Sequence, residues 1–501
     1  MSNNNDFHGE PPHVALFPSA GMGHLTPFLR LADMLASRGC IVTVVTAMPT
    51  VSTAESAHIS SFFSNYPHIN RLEFEIPESN LTNTTTADPF FIRWNEINRS
   101  AHLLKPLLLS SSPPLSAIFS DIAIVNSINP IADDLSLPNY VVFTTCARFL
   151  SLFASLPFLF TSDTFNNSDV QIPGLLVPIP LSSIPPPFFD SNHLFTSIAI
   201  SNALSLPKTK GILLNTFEEF ESDTISALKD GRVLSCPIPV QPVGPLEPYK
   251  FELGHRLSWY AYSILIILFP YLVSFRLSIY IKLLNSIICF FLFIFNRLDD
   301  QIVGSVVYVS FGSRTAMSED QIRELGNGLE RSGCSFLWVL KTSKVDKEDK
   351  QELEELLGDS FLERTKKRGI VVKGWVNQEE ILRNPAIGGF ISHCGWNSVM
   401  ESARFGVPIL AWPLHGDQRV NAEVVENAGL GMWVRDWGWG GERLVKGEEI
   451  GDKVRELMSD EKLRNKAREI GEQARKAFEA NGSSEKALMG LVDMLKHTNK
   501  M

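Results

Sequence analysis

The chain has 501 residues, six cysteines and a formal net charge of −10 at neutral pH. Its length allows two domains with full hydrophobic cores, and its longest basic run, Lys366-Lys367-Arg368, argues against nucleic acid as the partner. The cysteines lack the spacing of a metal site, and the polar N-terminus lacks the apolar segment of a secretion signal. We therefore expect an acidic two-domain protein of the reducing cytoplasm.

The chain opens with a strand, a glycine-containing loop and a helix. An apolar run at 14–17 is followed by apolar residues at helical spacing and by a second apolar strand at 41–46. This pattern is the βαβ unit of an α/β fold. A dinucleotide site at the loop is disfavoured, because Gly21-x-Gly23 lacks a third glycine and the second strand does not end in Asp or Glu.

The rest of the first half continues the alternation of strands and helices. Further strands are expected at residues 117–121, 140–145 and 210–215. Asp88, followed by proline at the first helical position, predicts the start of a helix. The stretch 155–191 is rich in proline and phenylalanine and predicts an irregular loop. Its aromatic residues either line a binding pocket or form a local hydrophobic cluster.

Residues 253–296 form an apolar stretch without an acidic residue between the two halves. Leu257 begins a run of 19 uncharged residues, which is long enough to span a bilayer. Pro270 interrupts that run, and many residues of the stretch have A/T-rich codons. We favour a translated intron over a membrane anchor, and both interpretations stay open.

The second half repeats the strand–loop–helix pattern. A strand at 303–313 enters a Gly-Ser loop, and Ser318 with Gln321 predicts a capping box at the next helix. Further strands are expected at residues 336–340, 370–373, 388–392 and 409–412. We therefore expect two doubly wound domains. We assign residues 1–248 to the N-terminal domain and residues 249–297 to the linker. Residues 298–480 form the C-terminal domain, and residues 481–501 form a final helix.

The stretch 375–418 carries groups of the kind that a nucleotide sugar would need. A buried strand runs into a tight turn and a helix, whose first N–H groups have no partner and carry the positive end of the helix dipole. Gly395, Asn397 and Ser398 lie at this turn and can hold phosphate oxygens. Trp375 would offer a flat face to the base, and Glu401 would accept hydrogen bonds from the ribose. Asp417 and Gln418 would bind the sugar hydroxyls. The carboxyl ends of the strands would bring these groups to one crevice.

The stretch 375–418 resembles the signature sequence of the plant family 1 UDP-sugar glycosyltransferases in order and in length. The resemblance implies the GT-B fold, in which two Rossmann-like domains face each other across a cleft and the last helix packs back on the N-terminal domain. It also implies that residues 253–296 have no counterpart in the family. The UDP-sugar ligands it implies in this half are Ser313, Trp375, Val376, Gln378, His393, Trp396, Asn397, Ser398, Glu401, Asp417 and Gln418.

The resemblance also assigns a catalytic pair. His24 closes the glycine loop and matches the family's catalytic base, and Asp121 at the end of a strand matches its partner. An aspartate there could accept the Nδ1 proton and orient the imidazole. Thr144 and Thr145 match the position that binds a sugar hydroxyl of the donor. The candidates for the acceptor site are Gly23, Asp88, Phe90 and Phe188.

The opening sequence and Asp88-Pro89-Phe90 resemble the flavonoid C-glucosyltransferase subgroup. The resemblance implies inverting transfer of glucose from UDP-glucose to a carbon of a flavonoid-type polyphenol, such as a 2-hydroxyflavanone or a dihydrochalcone. The alternatives are O-glucosylation of a similar phenol and an inactive or membrane-associated product of a mis-spliced message. No Asp-x-Asp pair occurs in the sequence, so we expect neither a metal nor a cofactor beside the donor. We also expect a monomer that binds no nucleic acid and, unless the insertion is real, no membrane.

Overall fold

The computed structural model describes residues 10–77, 88–161, 168–234, 237–248, 293–312, 314, 317–341, 351–374 and 376–498. Ser313, Trp375 and all but the last four residues of the stretch 253–296 lie outside these ranges, so what was predicted for them stays a prediction. Within the described ranges, no helix is both long and apolar enough to cross a membrane.

Seven parallel strands form the sheet of the N-terminal domain. They are β1 His13–Phe17, β2 Ile41–Met48, β3 Asn70–Glu75, β4 Ala117–Asp121, β5 Asn139–Phe143, β6 Gly211–Leu214 and β7 Val240–Pro242. Their order across the sheet is β3-β2-β1-β4-β5-β6-β7. Every residue of β1, β4 and β5 is buried, because helices cover both faces of a parallel sheet.

The helices of this domain are α1 Met22–Ala36, α2 Thr53–Asn65, α3 Pro89–Ser100, α4 Leu104–Leu109, α5 Val125–Asp134, α6 Ala147–Thr161, α7 Leu194–Ser205 and α8 Ser222–Lys229. The predicted start of α3 has the expected cause, since the Asp88 carboxylate accepts a hydrogen bond from the Phe90 N–H at 2.9 Å. The irregular loop predicted at 155–191 is wrong at its beginning, because α6 continues to Thr161. This helix is apolar on most sides and contains Pro157, so it has no amphipathic period to detect.

The C-terminal domain has a second parallel sheet of six strands. They are β8 Val306–Ser310, β9 Ser335–Leu340, β10 Gly369–Lys373, β11 Ile387–Ser392, β12 Ile409–Ala411 and β13 Gly431–Trp433, in the order β10-β9-β8-β11-β12-β13. Its helices are α9 Glu319–Ser332, α10 Leu353–Leu357, α11 Asp359–Thr365, α12 Gln378–Arg383, α13 Trp396–Phe405, α14 Gln418–Ala428, α15 Gly447–Ser459 and α16 Glu461–Lys476.

The capping box predicted at α9 forms only in part. Ser318 Oγ accepts a hydrogen bond from the Gln321 N–H at 3.3 Å, as a capping residue does. The Gln321 side chain does not return to the helix start, because it bonds the backbone N–H and C=O of Val445 at 2.9 and 3.0 Å. A tertiary contact thus replaces half of the local motif.

The final helix, α17 Ser483–Thr498, returns to the N-terminal domain. Its residues Leu488, Leu491 and Leu495 are fully buried in one hydrophobic cluster with β1 and α1. Ser484 Oγ also donates a hydrogen bond to the Gly244 carbonyl at 2.6 Å. The chain therefore crosses between the two domains twice, once in the linker and once before this helix.

Candidate active site

The carboxyl ends of β1, β4 and β5 bring three polar side chains together. His24 lies in the first turn of α1, just after β1, and Asp121 is the last residue of β4. Thr144 follows β5 directly. β1 and β5 are the two neighbours of β4 in the sheet. The three residues therefore meet at the carboxyl ends of these strands, where open α/β sheets bind ligands.

His24 and Asp121 form a hydrogen-bonded pair. His24 Nδ1 lies 2.8 Å from Asp121 Oδ2, and the other carboxylate oxygen accepts the Ala123 N–H at 2.8 Å. The Asp121 side chain is fully buried, whereas His24 is 21% exposed. Trp94 packs edge-on against the imidazole, with ring centroids 4.9 Å apart. Asp121 therefore holds the His24 ring with its proton on Nδ1, which leaves Nε2 able to accept a proton.

The surroundings make His24 a stronger base than a free imidazole. Burial lowers its pKa, whereas the charge of Asp121 and its hydrogen bond raise it, and the net pKa lies above the ordinary value. The Asp417 carboxylate across the cleft raises the pKa further, and the Arg314 guanidinium lowers it. The cleft thus holds charges from both domains that act on one imidazole.

The helix α13 starts directly opposite, in the C-terminal domain. Gly395 precedes it, and no side chain among the described residues caps its first N–H groups. These groups and the helix dipole form an anion site. Asn397 Nδ2 lies 3.5 Å from the Gly23 carbonyl of the N-terminal domain, so the helix start borders the cleft beside His24.

Two glycines hold the imidazole of His393 next to this helix start. A Cβ atom on Gly312 would lie 2.6 Å from His393 Nε2, and one on Gly395 would lie 2.5 Å from the same atom. Gly312 also has a φ of +75°, which disfavours other residues. Burial lowers the pKa of His393 to about 4. The ring is therefore neutral near pH 7 and is fixed where the two loops meet.

Glu401 lies in a buried network that joins the domains. Its Oε1 accepts a hydrogen bond from Arg30 Nη2 of α1 at 2.7 Å, and its Oε2 accepts one from Gln378 Nε2 at 2.8 Å. Gln378 Nε2 also reaches Ser398 Oγ at 2.9 Å, and Arg30 pairs with Glu379 as well. Each oxygen of Glu401 therefore accepts one hydrogen bond and keeps a lone pair that can accept another, for example from a ribose hydroxyl.

The residues predicted to bind the donor sugar meet across the cleft. Thr145 Oγ1 donates a hydrogen bond to Asp417 Oδ2, and Asn421 Nδ2 bonds the same oxygen at 2.8 Å. Gln418 is buried, and its Oε1 accepts the backbone N–H groups of Leu414 and His415. Asp417 thus lies at the cleft, while Gln418 shapes the loop before α14.

Trp396 and Val376 are buried as well. The indole N–H of Trp396 donates a hydrogen bond to the Asn215 carbonyl of the N-terminal domain at 2.6 Å. The ring is therefore part of the domain interface, and its predicted contact with the sugar stays a prediction.

The acceptor candidates divide into cleft residues and core residues. Asp88 and Phe90 begin α3, and a Cβ atom on Gly21 would lie 3.3 Å from the Phe90 ring and 3.8 Å from His24 Cδ2. Gly23 is exposed, and the direction of its missing Cβ meets nothing within 4 Å. Phe188 is fully buried and its ring stacks on Phe195, with centroids 5.1 Å apart, as in the alternative of a local hydrophobic cluster. Its contact with the acceptor stays a prediction.

Two arginines of the cleft have no counterpart among the predicted site residues. Arg30 occupies a buried position of α1 and reaches Glu379 and Glu401 of the other domain. Arg314 pairs with Asp88 across the cleft. The only sequence signal for Arg30 is a charged residue on the apolar face of an amphipathic helix, and Arg314 lies in a loop without a pattern.

The described residues contain no group of three His, Cys, Asp or Glu side chains arranged for a metal ion. The metal independence expected from the sequence stays a prediction.

Known proteins are similar to this chain over nearly its whole length. The model of the family described as UDP-glucoronosyl and UDP-glucosyl transferase matches residues 298–437. UDP-glycosyltransferase 708G2 of Citrus unshiu is 47% identical over 506 residues, which cover 100% of this chain and 99% of the relative. UDP-glycosyltransferase CGT of Oryza sativa subsp. japonica is 44% identical over 498 residues, which cover 98% and 97%.

Solved structures share the fold. The crystal structure of LpCGTa in complex with UDP matches with a TM-score of 0.79 at 42% identity, over 97% of this chain and 99% of that chain. The GT-B fold predicted from the sequence is confirmed by this match.

Proposed function

The chain belongs to the family of UDP-glucuronosyl and UDP-glucosyl transferases, and we propose that it transfers glucose from UDP-glucose, with inversion, to a carbon of a flavonoid-type polyphenol. The observation that carries this proposal is the His24–Asp121 pair at the edge of one sheet, opposite the uncapped start of α13 at the edge of the other. A base on one side and an anion site on the other are what transfer from a nucleotide sugar to a phenol requires.

The C-terminal domain supplies the donor site. The N-terminus of α13, with His393, Asn397 and Ser398, would stabilise the negative charge that develops on UDP as it leaves. Gln378 and Glu401 would bind the ribose, and Asp417 would bind the sugar together with Thr145 from the opposite domain. The predicted ligands Ser313 and Trp375 complete this proposed set. We propose that no metal ion and no further cofactor take part.

The N-terminal domain supplies the base. A phenol has a pKa of about 10 and a free imidazole one of about 6.5, so the proton transfer is uphill by about 5 kcal/mol in water. The raised pKa of His24 reduces that difference, and Asp121 stabilises the imidazolium that forms. General-base catalysis of this kind contributes about 10² to 10⁴ in rate.

The choice between carbon and oxygen depends on how the acceptor is oriented. His24 removes the phenol proton, and the negative charge spreads to the ortho and para carbons of the ring. Such a carbon attacks the anomeric carbon, a C–C bond forms, and the bond to UDP breaks with its electron pair leaving on UDP. The ring carbon then loses its proton to water, and His24 returns its own proton to the phenolate oxygen. The net products are the C-glucoside, UDP and one proton.

Two observations support attack through carbon. The relatives include proteins named UDP-glycosyltransferase CGT and the UDP-bound structure of LpCGTa. In this chain, Asp88-Pro89-Phe90 begins α3 beside the glycine loop of His24. This position suits a wall that turns the acceptor ring relative to the sugar. The second candidate activity is O-glucosylation of the same phenols.

The test is an assay with UDP-glucose and a dihydrochalcone or 2-hydroxyflavanone acceptor, followed by treatment of the product with hot acid. A C-glucoside survives this treatment, and a product that returns the free aglycone refutes attack through carbon. Repeating the assay with other UDP-sugars in place of UDP-glucose tests the choice of glucose as the donor sugar.

The stretch 253–296 motivates a proposal of another class, in which this chain is an inactive or membrane-associated product of a mis-spliced message. The chain to compare with it is a shorter one that lacks only residues 253–292. It keeps Ile294, because this residue is buried in the core. Sequencing the transcript and assaying both chains separates the cases. On this second proposal only the shorter chain is active, and equal activity of the longer chain would contradict it. We propose that the active chain is a cytoplasmic monomer.

A further inference from the structure

We propose that Arg314 binds the oxygen of the acceptor phenolate and thereby presents the neighbouring ring carbon to the donor sugar. This inference rests on the proposed function and adds a residue to it. It assigns a role to a cation that the catalytic pair and the donor site leave unused.

Arg314 belongs to the C-terminal domain but contacts the acceptor side of the cleft. It lies in the loop between β8 and α9, and its Nη2 pairs with Asp88 Oδ2 at the start of α3. Its guanidinium carbon lies 4.8 Å from the centre of the Phe90 ring and 5.1 Å from that of Phe91. A planar guanidinium packs well on aromatic faces and is held there by the carboxylate.

The Arg314 side chain is close to the reacting groups. Phe90, over which it lies, and His24 are both neighbours of Gly21, since a Cβ atom on Gly21 would lie 3.3 Å from the Phe90 ring and 3.8 Å from His24 Cδ2. The Arg314 charge lowers the pKa of His24 against the opposing effect of Asp121 and Asp417. Burial first and then the Arg314 charge lower the pKa of His415 to about 3, so that ring adds no second positive charge near pH 7.

Arg314 has donors left for a ligand. A guanidinium carries five N–H groups, and among the described residues its one hydrogen bond is the pairing of Nη2 with Asp88. The other oxygen of Asp88 is occupied by the Phe90 N–H. The Arg314 side chain is 32% exposed, so its free N–H groups are open to an acceptor in the cleft.

An arginine on the phenolate oxygen would affect the reaction in two ways. It would stabilise the anion that His24 generates, since removal of the phenol proton is uphill. It would also occupy the lone pairs of the oxygen, so that the delocalised charge on the ortho carbon becomes the better nucleophile. The bonds that form and break are those of the C-glucosyl transfer above, and Arg314 itself neither gains nor loses a proton.

The test compares the full chain with Arg314→Gln and Arg314→Lys. The acceptors are polyhydroxylated phenols whose ring hydroxyls differ in acidity, and UDP affinity is measured by calorimetry. We expect Arg314→Gln to lower kcat/KM for the acceptor about 10- to 100-fold, at the low end of the loss for a charge-stabilising donor because the site is part-exposed. The loss should be largest for the least acidic phenol, the share of O-glucoside should rise, and Arg314→Lys should restore part of the rate.

The chain offers a matched control in Arg435. This arginine also pairs with a carboxylate, Glu426, and lies 4.4 Å from the centre of an aromatic ring, Trp433. It follows β13, the outermost strand of the C-terminal sheet, whereas Arg314 follows the interior strand β8. Arg435→Gln should leave activity within about twofold. A second comparison is Asp88→Asn, which removes the ion pair and keeps the Arg314 charge.

The outcomes separate the roles. An equal loss for all acceptors, matched by Asp88→Asn, would overturn the proposal and make Arg314 a link between the domains. A weaker UDP affinity in Arg314→Gln would overturn it in favour of a donor-binding role. If the unmodified chain makes only an O-glucoside, the proposed function fails, whereas the dependence on phenol acidity still decides whether Arg314 binds the phenolate.

Discussion

Replacing Asp121 by asparagine removes one negative charge from the cleft and keeps the shape of the side chain. In the native chain, one carboxylate oxygen accepts the Ala123 N–H and the other faces His24 Nδ1, each at 2.8 Å. An asparagine must give its oxygen to the Ala123 N–H, because that backbone group can only donate. Its NH₂ group then faces His24 Nδ1, which must become an acceptor. The imidazole carries its proton on Nε2, where the base should be.

The magnitude follows from the burial of this pair. The Asp121 side chain is fully buried, so water cannot replace the lost charge or restore the tautomer. The corresponding change in a buried Ser-His-Asp triad lowers kcat by about 10⁴, and a general base as a whole contributes about 10² to 10⁴. We expect a fall in kcat of about 10³, which corresponds to about 4 kcal/mol of transition-state stabilisation.

The assay is the rate of glucosylation as a function of pH for the native chain and Asp121→Asn. Asp121 raises the pKa of His24, and His24 must be neutral to act as a base. Activity therefore falls on the acid side as His24 is protonated, and this limb should move to lower pH in Asp121→Asn. The control is Asp134→Asn, since Asp134 pairs with Lys105 on the surface. A kcat within threefold of native, with an unmoved acid limb, would refute the role of the pair.

Other substitutions test separate parts of the site. His24→Ala should lower kcat by about 10² to 10⁴ and leave UDP affinity unchanged in calorimetry; a native rate in this variant would remove the base. Gly312→Ala places a Cβ atom 2.6 Å from His393 Nε2 at a positive φ, so we expect UDP affinity to weaken about tenfold or more, and native affinity would contradict the fixed ring. Trp396→Phe leaves the Asn215 carbonyl without its 2.6 Å donor and should cost about 1–3 kcal/mol in denaturant unfolding; an unchanged midpoint would count against that contact. Activity should survive EDTA, and a loss restored by Mg²⁺ or Mn²⁺ would show that a metal takes part.

The features that the sequence predicted well are local. A short apolar run, a glycine loop and an amphipathic helix are all within about twenty residues, so strand β1, its loop and α1 follow from periodicity alone. Asp121 could be placed at the cleft because the carboxyl ends of neighbouring parallel strands meet there. Strand β3 was missed, because in Asn70–Glu75 only Phe74 is buried and the pattern resembles a polar loop.

The features that the sequence could not predict join residues far apart in the chain. Arg30 and Glu401 are separated by 371 positions, and nothing local to either residue indicates the other. The side chain of Gln321 satisfies a capping motif locally but bonds Val445, 124 positions away. Phe188 has the same local sequence signal as the exposed Phe189 beside it, and only packing against Phe195 decides which ring is buried.

The central claim is that the anomeric carbon of glucose becomes bonded to a ring carbon of the acceptor. The most direct measurement is NMR of the product made by this chain from UDP-glucose labelled with ¹³C at the anomeric position and an acceptor labelled with ¹³C in the ring. We predict a one-bond carbon–carbon coupling between the two labels and a β configuration at the anomeric centre, as inversion from the α-linked donor requires. An anomeric carbon joined to the ring through oxygen, or an α-linked product, would contradict the account.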